Sequence, residues 1–284
     1  MIRTALRHHA PGDLDEAAAL LAAHGERAAV VGGGTVLVPS LTRGERDLDH
    51  VVDLRRLGLD ELSGTDQELR IGASVSYADV LSAPPFPGAA QLLQVAAGGI
   101  TGGPQIRNQG TVCGSASYAN PSSDMPGVLV ALGAQMHLHG PEGGRTLPAG
   151  EFFVDAFRVA ARRGELLVAV SVPTRPDRIG YYKFKLAEGS WPIATASAVL
   201  PDPDGSLTGA TVTLGAVSAV PLRLDLAPLL DGNGDLAVPA AEVDGWVAAQ
   251  VPEPWDDELA PGDYRRTVAG VVLRRALQRA EENR

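Results

Sequence analysis

The sequence predicts a globular chain of mixed helices and strands, on three observations. Hydrophobic residues are 45% and charged residues 20% of the 284, a balance that suits a soluble chain with a packed core. Segments with helical spacing alternate with short strand-like runs up to about residue 175, after which three strands and two helices close the chain. Two glycine-rich stretches, residues 32–35 and 100–133, interrupt otherwise ordinary segments.

Composition excludes several functions. A formal net charge of −10 argues against a nucleic-acid surface, which wants a basic patch. One cysteine rules out an internal disulfide, a zinc site built on cysteines and a self-contained iron–sulfur cluster. The start, MIRTALRHHAPGD, has no apolar signal region, and no run of about 20 apolar residues occurs, so a cytoplasmic protein is expected.

The first helix is expected over residues 13–24, with Leu14, Ala17, Ala18 and Leu21 on one face, Asp13 as cap and Gly25 as stop. Ala28 to Val31 reads as a short buried strand running into Gly32-Gly33-Gly34-Thr35, and residues 36–41 as a helix in which Pro39 sits uneasily. A strand, a glycine turn and a helix start expose several backbone N–H groups at one point, as phosphate sites require. The spacing is not the dinucleotide fingerprint, because GGGTVLVP lacks G-x-G-x-x-G and Asp53 reads as the end of a short strand. A strand over 69–73, a short helix from Ser76 to Leu81 and a helix over 91–97 follow.

The run ITGGPQIRNQGTVCGSASYANPSSDMPGVLVALG is too rich in glycine and proline for a regular helix or strand, and too poor in charge for a linker. Within it, Thr111-Val-Cys-Gly114 repeats the logic of the first loop, so the two turns are expected to clamp an anionic group such as a diphosphate. Arg107-Asn108 reads equally well as a salt bridge with a turn-forming Asn. Asp124 is expected to cap the helix MPGVLVALGA.

Beyond it, strands are expected over 135–139 and 166–172, and Thr174-Arg-Pro-Asp-Arg178 reads as a domain boundary. Strands over 181–185, 193–200 and 208–216 follow, with Asp202-Pro-Asp-Gly205 as a hairpin turn. Helices near 240–250 and 263–282 end the chain, the last with Val268, Val271, Val272, Leu273, Ala276 and Leu277 inward and its arginines outward. His8, His9, His24, His50, His137 and His139 are scattered, and the two close pairs read as surface or strand residues rather than metal ligands.

A GG-x-x-L-x-P loop paired with QIRNQGTVCGSASYANPSSDMPGVLVALGA resembles the FAD-binding medium subunit of molybdenum hydroxylases. That family includes carbon monoxide dehydrogenase and the flavin domain of xanthine dehydrogenase. RTLPAGEFFVDAFRVAARRGELLVAVSVP, YYKFKLAEGSWPIATASAVL and DYRRTVAGVVLRRAL extend the resemblance over nearly the whole chain. It implies an α+β, PCMH-type FAD-binding fold over 1–175 (subdomains about 1–55 and 56–175). A C-terminal domain over 176–284, with a three-stranded antiparallel sheet and helices, is implied after it. It implies that Gly32, Gly33, Gly34 and Thr35 meet the pyrophosphate of FAD from one side, and Thr111, Cys113, Gly114 and Ser115 from the other. Val36, Thr101 and Asp124 are expected among the cofactor-binding residues, Leu167 at the adenine, Lys185 near the cofactor and Trp191 at the isoalloxazine ring.

Three departures from the family pattern stand out. Val36 replaces the usual Ser, Cys113-Gly114 replaces the common pair of glycines, and residues 186–190 (LAEGS) replace an arginine-rich run. The resemblance implies an electron-transfer flavoprotein subunit, working with an iron–sulfur small subunit and a molybdopterin large subunit, with no catalytic side chain of its own. The alternative is a free-standing FAD-dependent oxidoreductase acting directly on a small molecule, with Trp191 and Tyr118 beside the flavin. A cofactor-free interaction protein on a decayed flavin fold is disfavoured, because idle glycines cost stability.

Overall fold

The computed structural model describes residues 5–201 and 206–282. The expected Asp202–Gly205 turn lies outside the described residues.

The chain opens with a parallel three-stranded sheet in the order β1-β3-β2, formed by β1 (Arg7–His9), β2 (Ala28–Val31) and β3 (His50–Asp53). Helix α1 (Leu14–His24) contacts β2 and β3 and buries Ala17, Ala18 and Leu21 in the same core as Val52. Asp13 caps α1 as expected, its carboxylate accepting the Glu16 N–H at 2.8 Å. Helix α2 (Leu37–Arg43) follows the glycine loop. Pro39 is tolerated because it lies in the first turn, where its N–H would have no intrahelical partner. Strand β2 is only half-buried rather than fully buried, because all four of its residues line an open cavity.

A five-stranded antiparallel sheet follows, ordered β4-β5-β10-β6-β7. Its strands are β4 (Leu62–Gly64), β5 (Glu68–Gly72), β6 (Gln135–Gly140), β7 (Gly143–Pro148) and β10 (Leu166–Pro173). Between β5 and β6 run α3 (Tyr77–Ser82), α4 (Gln91–Gly98), α5 (Gly103–Arg107), α6 (Val112–Tyr118) and α7 (Asp124–Ala131). Helix α8 (Ala149–Phe152) and the ribbon of β8 (Phe153–Asp155) and β9 (Arg158–Val159) precede β10.

The stretch 100–133 is therefore helical in three short pieces, of which α7 was expected from the sequence and α5 and α6 were not. Packing overrides propensity here: every residue of α7 is buried, including Pro126 and Gly127. The Thr111 hydroxyl caps α6 by accepting the Gly114 N–H at 2.9 Å, so residues 111–114 form a helix start and not a second open glycine turn.

The chain ends in an antiparallel sheet of β11 (Arg178–Lys185), β12 (Pro192–Leu200), β13 (Thr211–Gly215) and β14 (Leu222–Leu224), in that order. The resemblance implied three strands, and β14 is the addition. All of β12 is buried, because α7 contacts the sheet as well as α10 (Gly262–Glu282), and small residues such as Ala194, Ala196 and Ala198 allow the approach. Helix α9 (Ala240–Ala249) packs on α10. Buried apolar side chains form two clusters, one containing residues from 17 to 199 and the other residues from 194 to 280.

The arginines of α10 do not all face outward. Arg265 is fully buried, donating through Nη1 to the carbonyls of Ile193 at 2.6 Å and Ala216 at 2.9 Å and pairing with Asp257. A buried guanidinium persists only where its donors are satisfied, and these carbonyls, with Asp257, supply that. Val271 is exposed rather than inward.

Candidate functional site

Gly32, Gly33, Gly34, Thr35 and Val36 line one cavity of about 370 Å³ together with Thr111, Cys113, Gly114, Ser115 and Leu167. Residues 79 positions apart meet there because the glycine loop passes directly against the segment before α6. A Cβ on Gly33 would lie 1.7 Å from the Gln109 carbonyl oxygen, so only glycine allows the approach. Gly34 takes φ +69°, the left-handed region that turns the chain into α2. Among the described residues, no group accepts a hydrogen bond from the N–H of Gly33, Gly34 or Thr35. The cavity wall thus carries donors with nothing to bind, which suits an anionic guest.

Of two further wall residues, Arg46 gave no signal in the sequence, and Tyr118 was expected beside the flavin only in the alternative of a free-standing oxidoreductase. Arg46, in an exposed turn after α2, is the one Lys or Arg side chain among the described lining residues. Tyr118 ends α6 and stacks at a tilt on Phe157, ring centroids 5.3 Å apart. Hydrophobic periodicity cannot mark a lone exposed arginine as lining a cavity.

Cys113 differs from the expected phosphate-facing turn residue. It sits in the first turn of α6, 2% exposed, with Sγ 3.8 Å from the Ile71 carbonyl oxygen. Burial pushes its thiol up to about 12. At pH 8 an ordinary thiol is about one quarter thiolate, whereas this one is about one part in ten thousand. The native protein is therefore expected to react with a disulfide reagent at least about 100-fold more slowly than the unfolded chain. The intact mass of the denatured chain should show no bound flavin. Rapid labelling of the native protein would contradict this placement.

Thr101, Asp124, Lys185 and Trp191 do not line the cavity. Asp124 is 2% exposed and does not cap α7; it opens that helix, with Ser123 at the cap position. Its carboxylate accepts from the Lys183 ammonium at 2.9 Å and from the Tyr181 hydroxyl. Lys183 also donates to the Gly99 carbonyl at 2.9 Å and to the Thr101 hydroxyl at 3.2 Å, and Thr101 donates to the Ser190 carbonyl at 2.8 Å. Desolvation raises the Asp124 carboxyl above its ordinary value, opposed by Lys183 and Tyr181. Burial and the nearby Asp124 charge push the Tyr181 phenol well up, so it stays a donor.

This network bonds the α4–α5 connection and α7 to β11 of the last sheet and to the loop before Trp191. Sequence reading missed Tyr181 and Lys183, which read as alternating residues of a strand. Lys185 is held by Glu188, whose carbonyl and carboxylate accept from it at 3.1 and 2.9 Å. Trp191 is half-buried immediately before β12.

The family described as FAD binding domain in molybdopterin dehydrogenase matches residues 4–175. The chain belongs to that family of flavoprotein oxidoreductases, whose cofactor is FAD. Among its relatives, the carbon monoxide dehydrogenase medium chain of Afipia carboxidovorans is 32% identical, aligning over 99% of this chain and 98% of that one. The nicotine 6-hydroxylase medium subunit of Paenarthrobacter nicotinovorans is 27% identical, over 97% of both chains. A solved carbon monoxide dehydrogenase from Hydrogenophaga pseudoflava superposes with a TM-score of 0.92 at 30% identity, covering 100% of this chain and 99% of that one. Among the described residues, no helix is long and apolar enough to cross a membrane.

Proposed function

We propose that this chain is the electron-transfer subunit of a molybdenum hydroxylase-type dehydrogenase. An iron–sulfur small subunit delivers electrons to it, a molybdopterin large subunit oxidises the substrate, and this chain passes the electrons to an external acceptor. FAD supplies the chemistry when bound, because a flavin exchanges electrons singly or in pairs. The protein's own residues bind and orient it.

The observation that carries this reading is the cavity in which the loop of Gly32–Thr35 meets residues 111–115, with N–H donors of Gly33, Gly34 and Thr35 unused. These are assigned to the pyrophosphate, with Arg46 adding positive charge at the wall. Leu167 is assigned to the adenine end, and Lys185 and Trp191 to the flavin end. Thr101 and Asp124 act through the Lys183 network, which fixes the segment leading to Trp191. Val36 brings no hydroxyl, so backbone groups carry the phosphate contacts at that point. Two hydrophobic clusters meeting near β11 support a division into a FAD-binding domain over 1–175, with subdomains about 1–55 and 56–175, and a C-terminal domain over 176–284.

Purification of the chain from its source cells under gentle conditions tests the assignment. It should bring two further polypeptides, with molybdenum, iron and one FAD per copy of this chain. A lone yellow chain that oxidises a small molecule without either metal would replace this reading with that of a free-standing oxidase or dehydrogenase.

A further inference from the structure

His9, His24 and His50 stand far apart in the sequence, yet the fold gathers them at one corner of the first sheet. His9 ends β1, His24 ends α1 and His50 opens β3, so three separate elements each contribute one imidazole. One ring nitrogen from each lies within 4.8 Å of the other two. His9 Nε2 and His50 Nδ1 are 2.8 Å apart, and the rings of His24 and His50 stack with centroids 3.5 Å apart. The two close pairs do lie on strands, His8 and His9 on β1 and His137 and His139 on β6, but His9, His24 and His50 are not scattered: β1 and β3 pair in parallel and α1 packs over them. None of the three lines the cavity described above.

We propose that His9, His24 and His50 form a binding site for a divalent transition-metal ion that prefers imidazole, with zinc as its best match. Ligand type supports it, since imidazole nitrogens suit zinc, copper and nickel, and three of them leave a fourth position for water. The geometry supports it as well. With Zn–N distances of about 2.0–2.1 Å, tetrahedral ligands sit about 3.3–3.4 Å apart. The His9–His50 pair must therefore open by about half an ångström as the ion replaces the proton the two nitrogens share. Rotation of His9 and His24 supplies this movement and the convergence of the stacked rings; both are half-buried, which also leaves the ion a path in.

Asp49 gives a second, independent support. Its Oδ2 accepts from Arg27 at 2.9 and 3.0 Å, but its buried Oδ1 has no hydrogen-bond partner and lies 3.8 Å from Nε2 of His50. Metal-bound histidines commonly donate their other N–H to a carboxylate, which fixes the tautomer and the ring. Asp49 stands ready for that role once His50 binds through Nδ1. An ion held there ties β1, α1 and β3 together, and these strands have only three or four residues each.

Equilibrium dialysis of the FAD-loaded, tag-free chain tests the site. The protein is stripped with a chelator, dialysed against micromolar zinc sulfate, and its metal content measured by mass spectrometry. One zinc per chain is expected. His24→Gln and His9→Gln should each lower retention at least tenfold with the flavin still bound, and His137→Gln, on β6, should not change it. Failure of the wild-type chain to retain zinc overturns the proposal. So does equal retention by the wild type and both cluster variants.

Discussion

Gly33→Ala is expected to weaken FAD binding by about 10²- to 10⁴-fold. The new methyl would sit 1.7 Å from the Gln109 carbonyl oxygen and 2.5 Å from its carbon, both backbone atoms that no rotamer change can move aside. The two segments must then separate, and the N–H groups of Gly33, Gly34 and Thr35 leave the position in which they face one guest. Each hydrogen bond to a charged acceptor contributes about 1.5–3 kcal/mol, so losing two costs about 3–6 kcal/mol. At about 1.4 kcal/mol per tenfold, that is about 10²- to 10⁴-fold. Gly34→Ala meets only side-chain atoms, at 3.2 Å or more, and its cost is about 1–2 kcal/mol of left-handed backbone strain. Titration of the apoprotein with FAD, followed by quenching of flavin fluorescence, ranks the two. Equal, small losses in both variants would show that the close approach of the loops does not matter for binding.

Lys183→Met is expected to destabilise the protein by about 3–5 kcal/mol, because it leaves the Asp124 carboxylate buried without its cation. The Tyr181 hydroxyl and its own backbone N–H would remain to it, and neither carries a charge. The loss should depend on pH in a definite direction. A carboxyl whose folded value is raised above its ordinary 3.8 binds protons more readily in the folded state, so stability falls as pH rises from about that value to the raised one. Removing the ammonium raises the folded value further and extends that window upward. The deficit of the variant should therefore be smaller at pH 5 than at pH 8. Asp124→Asn in the same background removes the stranded charge and should recover part of the loss at pH 8. Urea unfolding of the wild type and the two variants at both pH values measures this. A deficit independent of pH would mean that lost packing, and not the stranded charge, sets the cost.

Much of the fold could be read from local pattern. Asp13, the strands β5, β6 and β10 and the glycine run after β2 follow from capping, alternation and the conformational freedom of glycine, which act over a few residues. What escaped depends on partners distant in sequence. Thr111 looked like part of a turn, but its hydroxyl starts a helix. Asp124 looked like a cap because nothing local reveals Lys183, 59 positions on. Arg265 looked solvated because its acceptors lie on β12 and after β13. The strand β14 has only three residues, too few for a pattern. For the candidate site the same division holds: the glycine loop, Thr111, Gly114 and Ser115 carry a recognisable motif, whereas Arg46, Tyr181 and Lys183 are placed by tertiary packing alone.

The account rests on where the diphosphate of FAD lies, and a crystal structure of the FAD-loaded chain measures this directly. Its pyrophosphate oxygens should lie within hydrogen-bond distance of the N–H groups of Gly33, Gly34 or Thr35, with residues 111–115 along the same cavity. A pyrophosphate bound elsewhere, with that loop's N–H groups still unused, would contradict it.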